Sequence, residues 1–182
     1  LLLAAAMMFI TGAAVAGPWG YMALYTDANH TVCEAISPGG FYMAEMWIWC
    51  LAGINGQICA EFMIGYPANV ITSTVTANTD AISVTLGDLA SGMSACLKEC
   101  NESWLWFFHQ TLYVSDPTLT FVQILGHPDV GVYQFANCNE GFPTEPCVAL
   151  THLYLNAGPE LPECQTTAVE TASWGAIKSM LE

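Results

Sequence analysis

Arginine is absent from the 182-residue chain, and lysine occurs only at Lys98 and Lys178, against sixteen carboxylates. The formal charge is −14. Nucleic acid and anionic lipid surfaces are thereby excluded as partners, because both are held by clusters of basic side chains. The hydrolase and phosphate-binding signatures G-x-S-x-G, H-E-x-x-H and the Gly-rich P-loop are also missing. His30, His109, His127 and His152 stand apart from one another, and the acids are scattered rather than spaced as in a calcium loop. No catalytic residue, metal or cofactor is expected. Long apolar runs are lacking too. Leu1 to Ala16 is uncharged, but it is shorter than the about twenty residues a spanning helix needs. It ends in Ala14-Val15-Ala16, the small-x-small pattern of a signal-peptidase site, so a secretory leader removed before Gly17 is expected and no stable membrane span after its removal.

What the chain does have is cysteine and aromatic side chains. All eight cysteines follow the leader, which fits an oxidising compartment and a disulfide framework. The densest aromatic stretch is Gly40 to Pro67, GFYMAEMWIWCLAGINGQICAEFMIGYP, where Asn55-Gly56 sits between two apolar runs. Asn-Gly tolerates the positive φ of a tight turn and predicts a β-hairpin. That register sets Trp49 opposite Phe62 and Trp47 opposite Ile64. Since Glu61 on the other face resists burial, Trp47, Trp49, Phe62 and Ile64 are assigned to the core. Cys50 and Cys59 then share the outer face at bridging distance, and a second bridge, Cys138 to Cys147, would close the loop NEGFPTEP. Cys33, Cys96, Cys100 and Cys164 would pair among themselves.

Strands are expected at Trp19–Thr26, Val70–Ala77, Ala81–Leu86, Trp104–Ser115, Leu119–Leu125, Val130–Phe135 and Val148–Leu155, each bounded by turn residues. Along Trp104–Ser115 the alternation places Trp106, Phe108, Leu112 and Val114 inward and Phe107, His109, Thr111 and Tyr113 outward. After the breaker cluster Gly158 to Pro162, Ser173 would N-cap a short helix with Trp174, Ile177 and Leu181 as its stripe. The expected organisation is a leader at 1–16, one β domain at 17–160 and a tail with that helix at 161–182. The fold class is all-β: an antiparallel β-sandwich of jelly-roll or Ig-like type, with a short C-terminal helix.

The run Ala60-Glu61-Phe62-Met63-Ile64-Gly65-Tyr66-Pro67, followed by Val70-Ile71 and by Leu86-Gly87-Asp88-Leu89, resembles the pattern of cohesin-like β-sandwich modules. There a strand with alternating inward apolar residues enters a Tyr-Pro turn, and a Gly-Asp-Leu segment lies downstream. The chain, including its closing ASWGAIKS, also resembles secreted bacterial proteins of that architecture. The resemblance implies a non-catalytic extracellular module. The expected function is therefore structural, adhesive or binding, with an extracellular protein or glycan as partner, and Phe107, His109 and Tyr113 are the candidate binding side chains. A coplanar aromatic row beside polar groups would favour a glycan, and a flat apolar patch rimmed by carboxylates a protein. A secreted hydrolase with dispersed carboxylates is the alternative.

Overall fold

The computed structural model describes residues 19–157. Both the leader and the C-terminal helix expected from Ser173 lie outside the described residues. The chain forms β1 (Gly20–Tyr25), β2 (Glu34–Ala35), β3 (Tyr42–Leu51), β4 (Gln57–Gly65), β5 (Val70–Thr72), β6 (Thr76–Ala77) and β7 (Ile82–Asp88). It continues with β8 (Gly92–Asn101), β9 (Trp104–Val114), β10 (Thr120–Leu125), β11 (Gln134–Ala136), β12 (Thr144–Thr151) and β13 (Leu153–Leu155). No helix among the described residues is long and apolar enough to cross a membrane.

Ten of the 13 described strands follow one path, β2-β13-β10-β4-β11-β12-β1-β3-β9-β5; off it, β6 lies beside β9 and β8 links β4 to β7. The path closes over itself into two packed layers. One is built on β12, β1, β3 and β9, the other on β10, β4 and β8. The core between them joins Met46, Ile48 and Phe108 from the first layer to Phe62, Ile64, Met93 and Val122 from the second. Phe62 and Phe108 meet across it with ring centroids 6.2 Å apart. Gln110 also points inward and is buried, but Tyr66 Oη donates to its Oε1 (2.6 Å) and its Nε2 donates to the Ser73 carbonyl (2.7 Å). A buried amide with its partners in place costs little.

The expected all-β sandwich is present, but it is mixed rather than purely antiparallel. β1 runs parallel to β12, and β13 parallel to β2. The larger correction falls on the central hairpin. Asn55-Gly56 does turn the chain, with Gly56 at φ 69°, yet β3 pairs with β1 and β9 while β4 pairs with β8, β10 and β11. The loop is an arch that carries the chain from one layer to the other. Opposed strands in an arch face each other through side chains, so the hairpin register has no meaning here. Phe62 and Ile64 are core residues as expected. Trp47 and Trp49 are not: Met46, Ile48 and Cys50 fill the inward positions of β3, and the two tryptophans face outward, half-buried.

The arch also overturns both expected bridges. Cys50 points into the core from one layer and Cys59 lies on the outer side of the other. Cys59 is bonded instead to Cys96 across the β4–β8 ladder, with Cα atoms 4.0 Å apart. Cys138 bonds to Cys100, and Cys147 is buried in the core. Cys33 is disulfide-bonded as well, while Cys50 and Cys147 are free thiols.

Candidate functional site

The outer surface of the β3–β9 ladder is built rung by rung from the alternation of the two strands. Successive outward pairs are Met43 with Tyr113, Glu45 with Thr111, Trp47 with His109 and Trp49 with Trp106. β5 adds Ile71 beside Tyr113, and β6 adds Thr76 beside His109. One face therefore gathers most of the aromatic residues that the sequence concentrates in two strands.

A β-bulge decides which of them belong to it. The β3–β9 register shifts between Ile48 and Trp49, so that Ile48 pairs with Phe108 and Trp49 with Trp106, leaving Phe107 unopposed. An extra residue reverses the side on which every residue beyond it points. Phe107 is thereby fully buried, and its expected place on the outer strip passes to Trp106. His109 and Tyr113 do lie on the outer face. The strip the structure brings together is His109, Tyr113, Trp47, Trp49 and Trp106, without Phe107.

The face has two zones. At one end Phe41, Met43 and Ile71 are 62%, 65% and 61% exposed, and Phe41 stacks on Tyr113 with centroids 6.1 Å apart. These four side chains come from three adjacent strands and the segment before β3, and together they make a solvated apolar patch. At the other end the rings pack on one another. Trp47 lies over His109 at 4.2 Å and meets Trp106 edge-on at 5.2 Å, while His30 stacks on Trp104 and tilts against Trp49. Between the zones, Glu45 Oε2 lies 2.5 Å from His109 Nε2 and accepts from the Thr111 hydroxyl.

The loop that carries His30 is ordered by Asp27. Its carboxylate accepts from the backbone amides of Asn29, Thr31 and Val32 and from the Thr31 hydroxyl. Partial burial would raise the Asp27 carboxyl, but those donors, with the Val32 amide foremost, outweigh it and hold the group below the ordinary carboxylate value. Burial lowers the pKa of His30 against a smaller opposing effect of Asp27, so its neutral form is favoured among the rings.

Other polar groups are committed to structure. Glu61 accepts from Ser94 and Gln134 across three neighbouring strands, and Glu145 accepts from Asn55 and Asn137, tying the arch to β12. Among the described residues no group of three or more His, Cys, Asp or Glu is placed to hold a metal ion.

Fold and face together define a mixed β-sandwich with one aromatic outer surface. No protein-family model matches the sequence, and no curated protein sequence matches it either. Solved structures do match in fold. The chain is similar to the cohesin module of a family 33 glycoside hydrolase from Clostridium perfringens ATCC13124, at 12% identity and a TM-score of 0.54, over 76% of this chain and 96% of that one. It is also similar to the sixth cohesin of scaffoldin B from Acetivibrio cellulolyticus, solved in complex with a Cel5 dockerin, at 13% identity and a TM-score of 0.50, over 77% of this chain and 99% of that one. The likeness is one of fold, and it accords with the cohesin-like resemblance of the Ala60–Pro67 segment.

Proposed function

We propose that the protein is a secreted, non-catalytic binding module that docks a protein partner through the outer face of the β3–β9 ladder. The observation that carries this reading is the exposed patch of Phe41, Met43 and Ile71 around the half-buried Tyr113, bordered by the Glu45 carboxylate. Large apolar side chains clustered in water mark interaction sites, and a flat apolar patch with an acidic border suits a protein rather than a glycan. The tryptophans support the same choice. They are half-buried, and the Trp47–Trp106 pair meets at 77° rather than forming a coplanar platform for sugar rings. Disulfide bonds at Cys33, Cys59–Cys96 and Cys100–Cys138 support an oxidising, extracellular location. The cohesin of Acetivibrio cellulolyticus, which shares the fold, was solved with a protein partner. The hydrolase alternative gains nothing from Glu45, Glu61 or Glu145, each of which is engaged by neighbouring side chains.

The test uses the protein and a Met43→Glu/Ile71→Glu double variant, both immobilised. The probes are a neutral-glycan array and the culture supernatant of the producing organism. A supernatant protein retained by the parent and lost by the double variant, with glycans unretained, is the expected result. Glycan retention that survives the double substitution overturns the reading, as does a supernatant protein held equally by both.

A further inference from the structure

A second surface follows from backbone rather than side chains. The path of strands ends in short edges at β2, β5 and β6, of two, three and two residues. β7 is different. It has seven residues and, among the described strands, pairs only with β8. Ile82 at its start is buried and every residue from Ser83 to Asp88 is exposed, so the strand forms a solvated rim along β8, whose facing residues Met93, Ala95 and Leu97 belong to the core. Its second edge presents backbone N–H and C=O groups to water along this length.

Proteins blunt such edges with lysine, proline, inward charges, bulges or brevity, and the one bulge of β7 lies at its start, before Val84. β7 has none of the first three between Ala81 and Gly87, AISVTLG. Its irregularities are a register shift at Ser83, whose hydroxyl donates to the Cys96 and Leu97 carbonyls at 3.0 and 3.1 Å, and Gly87 at φ 84°; Val84 to Leu86 runs regularly between them. The support beneath it is firm, since the Cys59–Cys96 disulfide fastens β8 to β4. Val84 and Leu86, 48% and 68% exposed, point the same way two residues apart.

We propose that β7 is a self-association edge, at which two copies of this chain pair β7 to β7, antiparallel, about a twofold axis through Thr85. The register argues for a second copy as occupant. Centred on Thr85, Val84 of each copy faces Leu86 of the other, giving a four-residue apolar cluster on one side and a Thr–Thr pair on the other, both favourable cross-strand combinations. The regular contact ends at Ser83 and Gly87, and no carboxylate faces another within it. Moving the axis to Leu86 would set Val84 against Asp88. The Asp88 carboxylate is already turned back to accept from the amides of Ala90 and Ser91. A twofold contact of this kind is self-complementary and closes at the dimer. Each copy carries a formal charge of −14, so repulsion opposes pairing overall while the edge itself is neutral. Salt should therefore strengthen this contact by screening, opposite to its effect on an association driven by unlike charges.

Sedimentation equilibrium of the protein, at low and high sodium chloride, is the experiment. The expected result is a reversible monomer–dimer equilibrium, tighter in high salt and weakened by on the order of tenfold or more in Leu86→Lys and in Val84→Lys. Both positions are solvent-exposed, and an unchanged near-ultraviolet circular dichroism spectrum verifies that the variants fold. Amide hydrogen exchange along β7 should slow as protein concentration rises. A protein that stays monomeric at every concentration and salt overturns the proposal. So does a dimer indifferent to both lysine substitutions, and one that is lost in Met43→Glu while surviving Leu86→Lys, which would place self-association on the apolar patch instead.

Discussion

β3 and β4 leave the same Asn55-Gly56 turn, yet their outward faces have opposite fates. On β4, Cys59 is bonded to Cys96, and Glu61 is held by Ser94 on one side and Gln134 on the other. That surface is closed by bonds to its own neighbours. On β3, Met43 stands in water, Glu45 meets His109 and Thr111 of β9, and Trp47 lies between β9 and Tyr25 of β1 among other rings. Side chains on the first face are used up in holding the sheet together, whereas those on the second retain unsatisfied apolar surface. If the β3–β9 face is the docking surface proposed above, stability and recognition are divided between the two layers, and substitutions on the two faces should separate them.

The largest effect should come from the closed face. Replacing Cys59 and Cys96 together with serine removes a crosslink spanning 37 residues of sequence, and should cost about 2–5 kcal/mol in denaturant unfolding while leaving partner retention unchanged in molecules that remain folded. Trp47→Ala comes next. It breaks the ring contacts with His109 and Trp106, each worth roughly 0.5–1.5 kcal/mol, and should lower the melting temperature and weaken retention together. Glu45→Gln should cost only about 0.2–1 kcal/mol, because its pair with His109 is partly solvated. Met43→Ser should change stability by within about 0.5 kcal/mol yet reduce retention, and a large loss of stability there would erase the distinction between the faces.

Acid offers a further probe of the aromatic end. The His30 pKa is lowered in the folded protein, so the stabilisation of its neutral form is complete above the unfolded value of 6.5 and is lost as pH falls through the folded one. Asp27 is lowered as well. Its contribution is present above 3.8 and is lost at still lower pH, as the carboxylate that accepts from Thr31 and Val32 becomes protonated. Thermal unfolding should therefore weaken in two stages on acidification, and His30→Gln should remove the first. An unchanged first stage in that variant would assign it to another group, with His152, also lowered by burial, the next to replace.

Much of the fold is readable from alternation alone. The inward positions of Phe62, Ile64, Phe108, Leu112 and Val114 follow from period two. Trp47 and Trp49 were misplaced because Asn-Gly reports that a chain turns but not whether the flanking strands pair or part. One residue carried the missing signal: Glu45 shares its parity with Trp47 and Trp49 and resists burial just as Glu61 does, so it marks that side of β3 as outward. The exchange of Phe107 for Trp106 had no such mark. A bulge adds a residue without changing composition, and only the partner strand reveals it. One strand and one break are harder still to read. β8 was hidden because Cys96-Leu-Lys-Glu-Cys100 reads as a cysteine spacing rather than a strand, although both cysteines occupy positions of one parity. The break between β5 and β6 falls within an unbroken run of β-branched and small residues.

The two reduced cysteines have a practical meaning. β1 lies between the strands that carry Cys50 and Cys147, and both thiols are buried in the core. Burial, reinforced for Cys50 by its neighbour Cys147, pushes them well above the ordinary thiol range, so they stay protonated and unreactive while the layers are closed. A thiol reagent added to the intact protein will therefore reach Cys50 and Cys147 only in molecules whose layers have parted. The sandwich carries its own clock, and the labelling rate of Cys50 and Cys147 times the opening of the core without any change to the sequence.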